Sequence, residues 1–462
     1  MSGLAGNSTS TRVGLGIAVV CVAQFVVVLD VTIVVTALPA VRRSLGFSAS
    51  GLPWVVTAYT LVLGGLLISA GRVADVVGRR RVFLAGLAAF ALTSAACALA
   101  WSPAALLAAR VLQGAAAAVL SPSALSLLTT LTEPGESRRR AVGWWTAVAA
   151  GGGASGWVLG GLITQYAGWR WVFGVNLPIG LVAVLVGAHV LPRARERTAK
   201  RFDLAGAALA TGGLASLLLG LSGAVERGPR DPLTWAPLLL ASLLLWLFVL
   251  HERTTSSPML PLGLLRSRTV AGANLTAVAL TASTSPAMYL VTVWTQEVLG
   301  LPPARTSLLF PLLNLSVIVG SLLGPRALRR LGARRSLLTG LAGVAAGAVL
   351  LAGLPATDLS LARVLSAFVL MGAGLGTASV ASTEVGTTAA DPADRGAASG
   401  VLNSAAQVGT ALGLAVLVPL VTTVGGAEMD GFRVAFLGTA LVALLGGLAA
   451  LLVRREPPRE PM

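Results

Sequence analysis

The chain has 462 residues, 55% of them hydrophobic and 11% charged, with a mean hydropathy of +0.83. A soluble domain carries about a quarter charged residues, so this composition excludes one and points to a polytopic membrane protein. The formal charge of +16 does not indicate a nucleic-acid partner, because the arginines fall in short connections between apolar runs and form no stripe on a soluble face.

A bilayer-spanning helix needs about 20 mainly apolar residues. On that basis the sequence predicts fourteen spans, at 14–38, 52–71, 82–101, 103–131, 141–163, 170–192, 203–222, 234–251, 269–297, 305–326, 336–354, 358–383, 398–423 and 431–453. The first run is long and carries Asp30, a pattern unlike a cleavable leader. With the first residues placed in the cytoplasm, 25 Lys and Arg fall on cytoplasmic segments and eight on the opposite side, leaving Arg110 within the membrane. That bias places both termini in the cytoplasm.

A repeat at an offset of 253 residues aligns Ala109-Arg110-Val111-Leu112 with Ala362-Arg363-Val364-Leu365, and Gly71, Gly143, Gly156 and Gly160 with Gly324, Gly396, Gly409 and Gly413. Eight spans separate the copies, so both face the same way, as in parallel transporter repeats. The expected architecture is all-α: a six-helix bundle over 1–195, two inserted spans and linkers over 196–268, and a second six-helix bundle over 269–462.

No enzyme active site, cofactor or metal site emerges. Cys21 and Cys97 lie inside apolar spans, so neither a disulfide framework nor a ligand set is indicated. His189 and His251 have no second ligand at zinc spacing. Lys200 is the sole lysine among 34 basic residues, between Ala199 and Arg201, so the phosphate loop G-x-x-x-x-G-K-[ST] of ATP-driven proteins is absent. The preference for arginine hints at a GC-rich bacterial genome.

The chemistry concentrates on a few polar residues. A carboxylate at membrane depth costs about 2.5–3.5 kcal/mol on insertion scales, and desolvation favours the neutral acid. Asp30 is therefore a candidate proton carrier or cation site, the alternative being a carboxylate permanently paired to one base. Arg110 is the candidate partner: at ~1.5 Å per residue it lies ~10 Å deep, against ~12 Å for Asp30. Gln113, one turn further on the same face, is a relay or substrate-binding candidate, or glue between helices. Span five carries Gly152, Gly156 and Gly160 every four residues, a spacing that lets helices approach closely. The run Gly151-x-Gly153-x-x-Gly156 lacks the strand and acidic residue of a dinucleotide site.

Between spans two and three, Gly71-x-x-x-Asp75-x-x-Gly78-Arg79-Arg80-Arg81 reads as a tight loop at the membrane surface. Asp75 either pairs with its own arginines or latches onto a helix N-terminus of the other half. Glu297 and Glu384 fall at span ends, and Asp203 is placed to cap span seven.

This loop is similar to the one between spans two and three of major facilitator transporters. Leu29-Asp30-x-Thr32, Ala109-Arg110-Val111-Leu112-Gln113-Gly114, Gly168-Trp169-Arg170-Trp171 with Asn176-x-Pro178, and Gly396…Asn403…Gln407-x-Gly409 extend the likeness along nearly the whole chain. The pattern resembles the fourteen-span drug:proton antiporter branch of the major facilitator superfamily, the EmrB/QacA type. The resemblance implies alternating access between two bundles, exporting hydrophobic or amphipathic drug-like compounds or antibiotics against inward proton flow across the cell membrane. It makes Asp30 and Arg110 the coupling pair, and Gly71, Asp75, Gly78, Arg79 and Arg80 a gating element. Trp54, Tyr59, Gln113, Asn403 and Gln407 become cavity candidates. Protons are then the coupling ion, with a small-molecule substrate, the lipid bilayer and no ATP or nucleic acid as partners, in a monomer. Val35 stands where the branch usually has asparagine, and Trp157 where it usually has proline. A dedicated carrier of one metabolite, or a non-transporting receptor or channel, would suit the same helices. With Asp30 as the one deep acid, neutral or monocationic cargo is expected over dications.

Overall fold

The computed structural model describes residues 2–133, 135–192, 203–228, 231–255, 266–355, 358–389, 395–423 and 428–453, with Pro258, Leu260 and Gly263 in between. Side chains at 2–11 and 68–76, and a few others, lie outside the description. So do the expected boundary at 195/196 and both chain ends.

The described residues are helical, with no strand. The first bundle contains α1 (Ser2–Leu45), α2 (Trp54–Val77), α3 (Arg79–Ala98), α4 (Pro103–Leu131), α5 (Glu136–Tyr166), α6 (Arg170–Gly174) and α7 (Asn176–Val190). An inserted pair follows, α8 (Leu204–Glu226) and α9 (Pro232–Thr254). The second bundle contains α10 (Arg268–Val293), α11 (Pro303–Ser307), α12 (Phe310–Leu331), α13 (Ala333–Ala352), α14 (Leu361–Thr388), α15 (Arg395–Leu417), α16 (Leu420–Thr423) and α17 (Glu428–Ala450). Among the described residues, thirteen helices are long and apolar enough to cross a membrane. The apolar stretch Trp54–Leu67 of α2 lies where the remaining expected span falls.

Local chemistry explains where helices start and stop. Ser102, Asp203, Asp231 and Ser267 each accept a hydrogen bond from a first-turn N–H of α4, α8, α9 and α10, satisfying donors a helix start leaves free. The sixth span breaks at Val175, between α6 and α7. The ninth ends in a π-helical turn, Trp294–Val298.

The expected surface loop at 71–81 is a correction. The structure continues α2 to Val77 and resumes helix at Arg79, so Gly78 alone makes the corner, with φ +106°. The equivalent corner of the second bundle is Gly332, with φ +76°. Only glycine reaches such angles without a Cβ penalty, so two helices join with almost no loop.

Packing follows the glycines. A Cβ on Gly152 would lie 2.9 Å from the carbonyl oxygen of Phe25, and one on Gly156 would overlap the Thr32 hydroxyl. One on Gly160 would overlap both the Thr36 hydroxyl and the Ile33 carbonyl. Helices α1 and α5 thus run backbone to backbone. In the insertion, α8 packs on α9, α2 and α15, while α9 exposes Leu239, Leu243 and Trp246, a face suited to hydrocarbon.

Among the described residues the two bundles meet where α2 runs along α15, and where α5 and the end of α1 away from its N-terminal residues meet α11 and α12. There Trp157 of α5 stacks on Phe310 of α12, ring centres 4.0 Å apart. The π turn aims Gln296 at the Thr36 carbonyl (2.9 Å) and Glu297 at Arg42 (2.7 Å). The Ala304 N–H donates to Gln165 at 3.1 Å. Nearer mid-membrane the Ser404 hydroxyl donates to the Gly64 carbonyl at 2.8 Å.

Candidate functional site

Asp30 of α1 and Arg110 of α4 meet in the first bundle. Arg110 Nη1 lies 2.5 Å from Asp30 Oδ2, and both side chains are 0% exposed. The other carboxylate oxygen, Oδ1, accepts from Gln113 Nε2 at 2.9 Å and Asn176 Nδ2 at 3.3 Å. Arg110 also donates through Nε to the Val55 carbonyl (2.8 Å) and through Nη1 to Gln113 Oε1 (2.8 Å). Its guanidinium carbon sits 4.2 Å from the centre of the Tyr59 ring and 5.7 Å from that of Phe173, a stacked cation–π arrangement that suits arginine.

A second layer fixes the first. The Ser94 hydroxyl accepts from Gln113 (3.1 Å) and Asn176 (3.0 Å) and donates to the Phe173 carbonyl at 3.0 Å. Cys97 Sγ approaches Gln113 Oε1 at 3.4 Å. Close packing makes room for this shell: a Cβ on Gly114 would lie 2.6 Å from the Tyr59 carbonyl oxygen, drawing α4 against α2. Three buried polar atoms around the pair have no protein partner: Arg110 Nη2, the Tyr59 hydroxyl and Asn176 Oδ1. Unsatisfied groups of this kind suit water or a polar ligand.

The expected residues divide. Asp30, Arg110, Gln113 and Tyr59 form one cluster, but Gln113 and Tyr59 are fully buried and line no open cavity in this state. Trp54 packs instead with Leu61, Leu218 and Ala411 beside the inserted helices. Asn403 is exposed on α15, and Gln407 lies against Gly64 of α2. Arg79 donates to Thr130 Oγ1 at 2.8 Å and Arg80 to the Ala188 carbonyl at 2.5 Å, tying the start of α3 to α4 and α7. Gly71 lies within α2, and the side chain of Asp75 is outside the description. The repeat's Arg363 takes no part: α14 begins at Leu361, so this arginine sits at the helix start against the Gly353 carbonyl. Asn176, Ser94 and Cys97 were not singled out as site members from sequence. Asn176 could have been, as an amide inside an apolar span, whereas a serine and a cysteine in a small-residue helix give no such signal.

A model of the Major Facilitator Superfamily matches residues 20–414. The chain belongs to the major facilitator superfamily. It is a multi-pass membrane transporter, and similar relatives of that class carry antibiotic names. The cephamycin export protein CmcT of Amycolatopsis lactamdurans is 40% identical, covering 98% of this chain and 95% of its own length. The puromycin resistance protein pur8 of Streptomyces alboniger is 43% identical over 87% of this chain and 80% of its own. The lincomycin resistance protein of Streptomyces lincolnensis is 36% identical over 95% and 92%. Among solved structures, a POT family transporter in complex with a thioalcohol-conjugated peptide superposes with a TM-score of 0.71 at 14% identity, covering 94% of this chain and 95% of that one. The nucleoside transporter NupG superposes at 0.65 and 14% identity, covering 96% and 100%. These likenesses support the major facilitator fold.

Proposed function

We propose that this superfamily member exports hydrophobic or amphipathic antibiotic-like compounds in exchange for protons, by alternating access between its two bundles. The observation that carries the coupling is the fully buried Asp30–Arg110 pair with both carboxylate oxygens engaged. Its energetics suit a switch. An ion pair in low dielectric is retained only while its geometry is excellent, because desolvation opposes it. A proton on Asp30 removes the carboxylate charge and frees the guanidinium, and cargo or a bundle rotation can do the same mechanically.

The driving force is adequate. One charge crossing ~150 mV releases about 3.5 kcal/mol, enough for a gradient of roughly several hundredfold. The contacts between bundles at the far end support a state closed on that side. With the arginine bias placing the termini in the cytoplasm, the closed side is extracellular, in the plasma membrane of a bacterium. Asp30 and Arg110 act as the coupling pair and Gln113 positions them. Trp54, Asn403 and Gln407 are candidates for cargo contact in other states, and the element Gly71, Asp75, Gly78, Arg79 and Arg80 serves the gate. The unit works as a monomer without ATP.

A narrower cargo range is the second reading, favoured by relatives whose printed names each carry one antibiotic. Efflux of dyes and of β-lactam, nucleoside and lincosamide antibiotics from expressing cells separates the two. For the coupling itself, purified protein in liposomes is compared as wild type, Asp30→Asn and Arg110→Ala, with and without an imposed pH gradient. Wild type alone should accumulate cargo up the gradient. Accumulation by Asp30→Asn equal to wild type would refute the coupling assignment.

A further inference from the structure

A second polar site lies in the other bundle, far from the Asp30 pair. The starts of α10 and α13 and the ends of α12, α14 and α17 enclose a cavity of about 890 Å³ on the membrane side where α1 begins. Its volume falls in the range of small-molecule sites, roughly 300–1,000 Å³. Arg266, Arg268 and Arg329 line it, against the single carboxylate of Glu384.

These arginines differ from their counterparts in the first bundle. Arg79 and Arg80, on the first turn of α3, are engaged with Thr130 and Ala188. Arg266, Arg268 and Arg329 have no ion-pair or hydrogen-bond partner among the described residues. Nor have Arg330, Arg334 and Arg335 beside them. The first turn of α13 faces the same cavity through Gly332 and Ala333 and has no side-chain cap, which adds free N–H groups at a positive helix end. Leu328, Val385 and Val453 add apolar side chains to the same lining. Planar guanidinium forks beside apolar side chains, at the ends of membrane-length helices, match a phosphate group carrying a hydrocarbon anchor.

We propose that this cavity binds a phosphate-bearing anion, supplied by the headgroup of an anionic phospholipid in the adjoining leaflet. Basic pockets between transmembrane helices recognise lipid headgroups in this way. The bound headgroup bridges α10, α12 and α14 and braces the second bundle.

The test uses the full chain in nanodiscs of phosphatidylcholine with or without phosphatidylglycerol. Native mass spectrometry counts retained lipid, and thermal unfolding reports bracing. Wild type should retain phosphatidylglycerol over phosphatidylcholine and unfold at higher temperature with it. Arg266→Gln/Arg268→Gln/Arg329→Gln should lose that preference by at least about tenfold, while the matching lysine triple variant, which keeps the charge, should recover part of it. Inorganic phosphate added to phosphatidylcholine discs distinguishes the source. No shift supports the lipid headgroup, and an equal shift supports a free phosphate in the same cradle. Equal retention of both lipids by wild type and the glutamine variant, with no response to phosphate, would overturn the proposal.

Discussion

Arg110 Nη1 and Asp30 Oδ2 stand 2.5 Å apart, with neither side chain reached by solvent, although the two residues lie 80 positions apart in the chain. The two partners differ in one respect that decides how the site fails. A carboxylate can take up a proton and become neutral, whereas a guanidinium keeps its charge throughout.

Removing one partner should therefore be asymmetric. Asp30→Asn leaves Arg110 charged in a site with no counter-ion, at a cost of about 3–5 kcal/mol. Arg110→Ala leaves Asp30 with Gln113 and Asn176 still donating to its Oδ1. Thermal unfolding in detergent should show Asp30→Asn as the less stable variant, and Asp30→Asn/Arg110→Gln should regain part of the loss. Equal melting temperatures for the two single variants would contradict this account.

The α1–α5 contact predicts which glycines tolerate a methyl group. Gly160→Ala drives a Cβ into the Ile33 backbone carbonyl, which cannot move without parting the helices, so a loss of about 1–3 kcal/mol is expected. At Gly156 the obstacle includes the Thr32 side chain, so Thr32→Ala should relieve part of the penalty of Gly156→Ala. Gly151→Ala and Gly143→Ala meet nothing within 4 Å and should fold as wild type. Folded yield by size-exclusion chromatography reads all four.

Closure of the far end should depend on the aromatic stack more than on the ion pair. Arg42 and Glu297 are partly exposed, and such pairs contribute under about 1 kcal/mol. Trp157 and Phe310 are buried and stacked, with Phe368 at 5.4 Å from Phe310. Distances between spin labels at Ser44 and Leu308 should lengthen in Trp157→Ala and change little in Glu297→Gln. The reverse order would show that charge, and not ring packing, holds this end shut.

Cys21 and Cys97 are buried free thiols, and buried thiols react slowly. N-ethylmaleimide should label neither in the resting protein and both after unfolding in dodecyl sulfate. Because Cys97 touches Gln113, its labelling should rise during turnover if the Asp30 shell opens, while Cys21 stays protected.

The spans were legible because each crossing leaves a long apolar run; α4 starts and ends at the expected residues, 103 and 131. Their ends were less so, since a helix can continue through charged residues into water. Thus α1 runs past Arg42 and Arg43 to Leu45, and α2 absorbs most of the stretch read as a loop. The Asp30–Arg110 contact could be read because two opposite charges at similar membrane depth have few other partners. Trp54 was not legible in the same way: an aromatic residue in an apolar helix suits a cavity or a packed seam equally, and its place beside Leu218 depends on where α8 lies. The shell of Ser94, Asn176 and the Val55 carbonyl depends on how five helices approach one another, which no single helix encodes.

The inserted pair makes the flanks of the transporter unequal. Helix α8 lies across the line where α2 meets α15, with Thr211 pressed against Gly65, while the line where α5 meets α11 and α12 carries no such cover among the described residues. An oily molecule dissolved in the bilayer would find one doorway boarded over and the other bare, so sideways entry has a built-in handedness.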